Sequence, residues 1–238
     1  MRATPLPSGY SSGNRLLDAL AAPDLIGLEH DVGIVTIAAH QYTHAVGGLM
    51  NYVDFPIDAV LSVVATLANG DTVEVGTVGC EGFVEADAAL QLHVSPRTSF
   101  CQVGGRVGRM SLACFRGRMA TSAPFARLMH HSVSAALFSA QQFAACNAKH
   151  AVMQRCARWL LMTGDRVGAA RFPLTHDFLA IMLGVRRAGV SEAAELLHGL
   201  GAIEYRRGMV TILDAALLES VACECYGACR DAFAASLR

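Results

Sequence analysis

The stretch LAIMLGVRRAGVSEAAELL, residues 179–197, decides how the chain is read. Leu179 and Leu183 lie one helical turn apart, and Ala180 between them is small enough for a second helix to cross closely. Gly184 then interrupts the pattern, and glycine accepts the left-handed conformation that ends a helix and turns the chain. Val185, Val190 and Ala193 resume an apolar stripe that anchors a second helix on the first. The pattern predicts a helix-turn-helix, whose second helix lies in the major groove of DNA. The bland alternative is a helical hairpin with a solvated arginine pair at its turn. The combination of small, glycine and apolar positions is more specific than that reading requires.

On the second helix Arg186, Arg187 and Ala188 face outward, with Ser191 and Glu192 one turn later. An arginine placed there can bond the O6 and N7 acceptors of guanine bidentately, or bind a phosphate. Arg186 falls at the N-cap, where Ser, Thr, Asp or Asn would accept a backbone hydrogen bond. The site therefore favours an outward charge over local helix stability. Downstream, GAIEYRRGMVTILD (201–214) holds two β-rich runs, Ala202–Tyr205 and Met209–Leu213, joined through Arg206-Arg207-Gly208. A two-stranded wing of this kind presents Arg206 and Arg207 to the DNA backbone, where they add affinity and salt dependence. Thr175 and His176 open the first helix and could meet a phosphate through the hydroxyl and the helix N-terminus. His176 reads equally as a solvated surface histidine.

Working outward, 238 residues suffice for one large domain or two modest ones, and two is the prior. The chain is 53% hydrophobic and 16% charged, yet no apolar run approaches the roughly 18 residues of a membrane helix. The expectation is a soluble protein without a membrane partner. MRATPLPSGYSSGN (1–14) lacks the apolar core of a secretory signal and reads as a short flexible lead-in, which places the chain in the cytoplasm. Eight scattered cysteines fit reduced thiols. The net charge of −1 conceals a division: residues 1–121 carry 7 Arg against 11 acids, residues 149–210 carry 9 Lys plus Arg against 5 acids. A polyanionic partner for the second part is compatible with a neutral total.

After a first helix at NRLLDALA, residues from about Glu29 to Arg118 read as strands. Two β-rich runs flank Asn69-Gly70, a dipeptide that accepts the positive φ angles of a tight hairpin. SFCQVGGRVGRMSL suggests another strand pair around Gly104-Gly105. Several short strands with turns between them predict a sandwich or barrel. From Ala123 helix formers take over. Ala126, Met129, Val133, Ala136, Ala140 and Phe143 recur at spacings of 3 and 4, one apolar seam that suits either a partner helix or the chain's own β domain. A second helix, KHAVMQRCARWLLMTG, follows a break near Asn147, and DRVGAARFP reads as a loop.

The segments LTHDFLAIMLGVRRAGVSEAAELLHGLGAIEYRRGMVTILD and DFPIDAVLSVVATLANGDTVEVGTVGCEGFV, in the order β domain, long helix, winged helix-turn-helix, resemble the Crp/Fnr family of bacterial transcription regulators. The resemblance covers roughly Asn14 to Tyr226. It implies an α+β fold with an N-terminal cyclic-nucleotide-binding-like antiparallel β-barrel of jelly-roll type over 1–121. A dimerisation helix over 122–147 and a winged helix-turn-helix over 148–238 complete it. It also implies a homodimer joined along the seam from Ala126 to Phe143, a double-stranded operator of two-fold symmetry, RNA polymerase as a further partner, and allosteric control by the barrel. Arg187 matches a base-contacting arginine of the best-known members. Ala188 and Glu192 stand where those members carry a Glu and an Arg, so the operator sequence does not transfer.

Cyclic-nucleotide-binding relatives use a Gly-Glu pair on the ribose hydroxyl and an Arg-Ser or Arg-Thr on the cyclic phosphate. Here Glu85 and Arg97-Thr98 match, but Val84 replaces the glycine and Asp87 adds negative charge. The alternative is a vestigial pocket with Arg97 paired to an acid, so the effector stays unknown, a cyclic nucleotide being one candidate. The iron–sulfur branch places cysteines near the N-terminus, whereas this chain has none before Cys80, which argues against that cofactor. Cys223, Cys225 and Cys229 form a C-x-C-x3-C run without the paired C-x2-C of a typical zinc site, and on a helix Cys223 points away from the other two. They read as buried structural thiols, and no metal ligand is assigned. Adjacent His130 and His131 diverge on a helix, and His40 and His44 share a face only on a helix, so neither pair supports haem. A barrel that senses a small molecule or redox change, with a helical protein-interaction tail and no DNA binding, is the rival reading. No nucleophile, base and orienting acid can be grouped, so no enzymatic activity is expected.

Overall fold

The computed structural model describes residues 4, 5 and 11–238. Most of the lead-in read over residues 1–14 lies outside the described residues. Two compact units divide the rest. The first holds the residues up to Val63, Thr77–Leu137 and Ala232–Arg238; the second holds Val64–Gly76 and Phe138–Asp231.

In the first unit the short strand β1 (Thr4–Pro5) precedes three one-turn helices, α1 (Arg15–Asp18), α2 (Ala22–Leu25) and α3 (Leu28–Asp31). Asn14 caps α1: its side-chain oxygen accepts from the Leu17 amide at 3.1 Å. The Asn14 amide group donates to the carbonyls of Pro56 and Gly82 at 2.8 and 3.0 Å. A buried asparagine is thereby satisfied on both ends and fixes the first helix. The strands β2 (Val32–Ile37), β3 (Tyr42–His44), β4 (Tyr52–Pro56), β5 (Val60–Thr66), β6 (Thr72–Val78), β7 (Thr98–Val103) and β8 (Gly105–Ser111) form two four-stranded sheets, ordered β1-β2-β8-β4 and β3-β7-β5-β6. The chain changes sheet from β2 to β3, β3 to β4, β4 to β5 and β7 to β8, and these crossings make the jelly-roll arrangement of an antiparallel barrel. Phe55, Phe83, Phe115 and Phe125 fill its core with ring centroids 5.6 to 6.5 Å apart.

Three sequence expectations change here. The runs around Gly104-Gly105 are strands, but β7 and β8 belong to different sheets, so the glycines form a corner between sheets rather than a hairpin. In the β5–β6 hairpin only Gly70 takes positive φ (90°), while the amide of Gly70 bonds the Leu67 carbonyl and that of Leu67 the Asp71 carbonyl. That geometry is a turn closed by a glycine bulge, the longer relative of the two-residue turn. The strand region ends at Ser111, not Arg118: the Ser111 hydroxyl accepts from the Cys114 amide and starts α4 (Leu112–Thr121).

The long helix α5 (Ala123–Lys149) supplies residues to both units. In the second unit α6 (Val152–Val167) runs past the expected loop start and closes on Gly168 in the left-handed region. Its continuation β9 (Arg171–Pro173) is a strand rather than a loop. Then follow α7 (His176–Leu183), α8 (Arg187–Gly199), β10 (Ile203–Arg206), β11 (Met209–Ile212), α9 (Ala215–Val221) and α10 (Cys225–Ser236). The small sheet is ordered β10-β11-β9, with Phe172 opposite Val210. Among the described residues no helix is long and apolar enough to cross a membrane.

Candidate nucleic-acid interface

Thr175 caps α7 by accepting from the Phe178 amide at 3.2 Å, which leaves its hydroxyl proton free to donate. The other end of α7 closes with Gly184 at φ 62° and ψ 41°. The Gly184 amide bonds the Ile181 carbonyl and the Val185 amide the Ala180 carbonyl, the paired bonds of a Schellman cap. Arg155 of α6 donates to the Leu183 carbonyl, so a buried guanidinium holds the same turn from below. Leu179, Ala180, Leu183, Val190 and Ala193 are all buried, as the sequence pattern requires.

Behind this core α8 turns its first residues to solvent. Arg186, Arg187, Ala188 and Glu192 are exposed, and Ser191 is half-buried. Arg186 is extended (φ −71°, ψ 145°) with no side-chain bond to the helix, so the N-terminus of α8 keeps uncapped amides beside two cations. Together they make an anion-attracting surface. Arg187 Nε lies 3.2 Å from Asp177 Oδ1, both groups exposed, an ion pair the sequence reading missed. It is weak enough in water for a phosphate or base to replace it.

His176 is half-buried. Its Nδ1 lies 3.1 Å from the Ser191 hydroxyl, and its ring meets Tyr205 edge-on at 4.7 Å. Histidine, serine and tyrosine therefore clasp α7, α8 and β10, and His176 and Ser191 act first as internal spacers. At the wing, Arg206 pairs with Met209 across a two-residue turn in which Arg207 (φ 51°) and Gly208 (φ 76°) both take positive φ. Arg206 and Arg207 are exposed at its tip. From α6 Trp159 donates to Glu74 Oε1 at 3.0 Å, so β6 of the β5–β6 hairpin is fastened to that helix.

In the barrel Glu85 sits buried with φ 71°, and its Oε1 lies 3.2 Å from His44 Nδ1 and accepts from the Ser99 hydroxyl at 3.3 Å. Burial raises the Glu85 carboxyl above the ordinary carboxylate range and lowers His44 to about 4, with the Arg109 cation adding to the latter. Arg109 grips the fully buried Asp54 by two bonds of 2.7 and 2.8 Å and lies over the Tyr52 ring at 3.6 Å. Arg97 is ion-paired to Asp87. Thus the carboxyl of Glu85 and the guanidinium of Arg97 each meet a partner within the chain, while Thr98, at the start of β7, is half-buried.

Along α5 the expected seam divides. Met129 is fully buried in the core of the first unit, and Phe143 is buried in the second, under the Arg158 guanidinium at 4.3 Å from its ring. Both side chains pack within their own chain. Ala126, Val133 and Ala136 are half-buried and Ala140 is exposed, with Leu137 and Phe138 on the open side at 59% and 40% exposure. His130 and His131 are exposed, and so is His40, whereas His44 is buried. Cys223 precedes α10 instead of lying on it, so it and Cys225 converge, while Cys229 alone turns toward Ser139.

A buried helix pair, a left-handed turn, an arginine-bearing second helix and a basic three-stranded wing define a winged helix-turn-helix protein with a jelly-roll barrel. Residues 154–221 match the Crp-like helix-turn-helix domain. No curated protein matches the chain in sequence. Among solved structures, a CRP-family transcriptional regulator of Thermus thermophilus, TTHB099, is 18% identical with a TM-score of 0.66, over 79% of this chain and 96% of that one. FixK2 from Bradyrhizobium japonicum is 14% identical with a TM-score of 0.67, over 81% and 98%. CLP of Xanthomonas campestris, a c-di-GMP responsive global regulator, is 16% identical with a TM-score of 0.62, over 81% and 99%. The fold and the helix-turn-helix domain of this chain are those of the Crp/Fnr family.

Proposed function

We propose that the protein is a homodimeric, sequence-specific DNA-binding transcription regulator, with a sensor barrel over 1–121, a dimerisation helix over 122–147 and a DNA-binding domain over 148–238. The observation that carries the reading is the pair Arg186 and Arg187, exposed at the uncapped start of α8 while Leu179, Leu183, Val190 and Ala193 are buried behind them. The Crp-like helix-turn-helix match supports the same assignment. In the complex α8 enters the major groove, Arg187 leaves Asp177 for a base edge, and Arg186, Arg206, Arg207 and the Thr175 hydroxyl meet phosphates. Two copies joined along the open side of α5, through Ala140 with Leu137 and Phe138, read an operator of two-fold symmetry. RNA polymerase is the further partner, and the cytoplasm the place of action.

Control runs from the barrel through the β5–β6 hairpin, whose Glu74 holds Trp159 and whose Val73 lies against Gly184. An effector that displaces this hairpin alters the turn that aims α8. Glu85 already accepts from the Ser99 hydroxyl beside His44, and Arg97 is ion-paired to Asp87, so a cyclic nucleotide must displace both contacts to bind. The test is a selection of bound duplexes from random DNA, followed by salt titrations of wild type, Arg187→Ala and Arg206→Ala. Arg187→Ala lowers discrimination among duplexes, whereas Arg206→Ala weakens all of them and flattens the salt slope. Equal binding by all three proteins overturns the DNA reading and leaves a sensor barrel with a protein-interaction tail.

A further inference from the structure

Cys146 on the last turn of α5, His150 just beyond it, and Cys223 and Cys225 at the junction of α9 and α10 bring their ligand atoms together within 4.8 Å of one another. Cys146 Sγ lies 3.5 Å from Cys223 Sγ, and Cys225 Sγ lies 3.6 Å from His150 Nδ1. A tetrahedral zinc with Zn–S of about 2.3 Å and Zn–N of about 2.0 Å sets neighbouring ligand atoms about 3.5 to 3.8 Å apart. The Cys146–Cys223 and Cys225–His150 distances both lie in that range. A cluster of this size holds one ion and is too tight for a multi-iron cluster.

We propose that Cys146, His150, Cys223 and Cys225 form a binding site for a single Zn2+ ion, closed by three thiolates and one imidazole. The surrounding groups are those such a site needs. His150 Nε2 lies 3.2 Å from Glu224 Oε1, so the carboxylate accepts a hydrogen bond from Nε2–H and leaves Nδ1 turned toward the thiols. Gln142 Nε2 donates to Cys225 Sγ at 3.2 Å, a hydrogen bond to a sulfur ligand. Three thiol protons leave on binding, and Zn2+ with three thiolates and a neutral imidazole carries a net charge of −1. Arg155 and Arg158 of α6 act on Cys146 electrostatically and balance that charge. Soft sulfur donors with one imidazole select zinc over oxygen-seeking cations. With four protein ligands no position is left for substrate, so the ion is structural or regulatory: it clamps the end of α5 to the α9–α10 junction. The site is independent of whether α8 binds DNA.

The experiment uses the full chain, purified with a non-thiol reductant, loaded with Zn2+ and dialysed, then assayed for metal by mass spectrometry. Wild type retains one zinc per chain. Cys225→Ser and His150→Ala lose it, while Cys114→Ser, a half-buried cysteine elsewhere, keeps it. Glu224→Gln weakens binding by about 10- to 100-fold. Co2+ added to the wild type gives the intense visible absorption of tetrahedral thiolate coordination, a readout that does not depend on any variant folding. Wild type that retains no zinc, a Co2+ spectrum of oxygen and nitrogen ligation only, or undiminished retention by folded Cys225→Ser each overturns the proposal. So does a Cys146–Cys223 disulfide that persists under the reductant.

Discussion

Replacing Arg186 with serine separates stability from binding, because the two move in opposite directions. Arg186 occupies the N-cap of α8 without capping it. The Gly189 amide is already bonded to the Arg186 carbonyl at 3.0 Å, so a serine oxygen would accept from the Ala188 amide instead. A serine N-cap stabilises by about 1 kcal/mol, and loss of a cation beside the positive helix end adds roughly a few tenths. In a chain of this length each kcal/mol raises Tm by roughly 2–4 °C, so Arg186→Ser melts about 2–6 °C higher than wild type. On DNA the same change removes one phosphate contact per subunit. The slope of log affinity against log salt falls by about 0.9 for each, or about 1.8 for a dimer. Thermal unfolding by circular dichroism and anisotropy titrations from low to physiological salt read the two quantities on one preparation. A lower Tm would make Arg186 a structural residue. Unchanged affinity and slope would show that the start of α8 does not meet the phosphates.

Gly184→Ala places a Cβ 3.2 Å from Val73 Cγ1 at a residue held at φ 62°, so denaturant unfolding should show a loss of about 1–3 kcal/mol, and Gly184→Asn should lose less because asparagine tolerates that region. An alanine as stable as wild type would remove Gly184 from the turn argument. His44 has its native pKa lowered to about 4 from 6.5, so the unfolded chain binds more protons between those values. Its contribution is present above pH 6.5 and is lost as pH falls toward about 4, with a limit of about 3 kcal/mol. The stability difference between wild type and His44→Gln should therefore change across that window, and a constant difference from pH 7 to pH 4 would contradict a buried neutral histidine.

The helix-turn-helix is legible in sequence because every determinant lies within about twenty residues: two apolar stripes, one small residue and one glycine suffice to fix both helices and the turn between them. The barrel is less so. Gly104-Gly105 marks a reversal correctly, but whether a reversal returns a strand to its own sheet or carries it to the facing one depends on long-range pairing. The start of α4 rests on one residue, Ser111 as N-cap, and the β-rich run before it outweighs that single signal. Along α5 the spacing located a stripe but not what covers it, and Met129 and Phe143 prove to be covered by their own chain. Periodicity reports that a face is apolar; only topology reports whose face lies opposite.

The thiol cluster shows the same limit at a site. Cys146 and His150 are four apart at a helix end, which places them on one face, and Cys223 and Cys225 are two apart in a turn. Each pair is half of a tetrahedral site, and each is too common to signify by itself. Treating 223–229 as one helix set Cys225 with Cys229, because helical spacing favours positions four apart. The helix begins at Cys225, so Cys223 escapes that rule and reaches Cys146 across 77 residues. The signal that could have joined the halves is chemical rather than periodic: a lone C-x3-H and a lone C-x-C in one reduced chain supply three soft ligands and one imidazole, the complement of a closed zinc site.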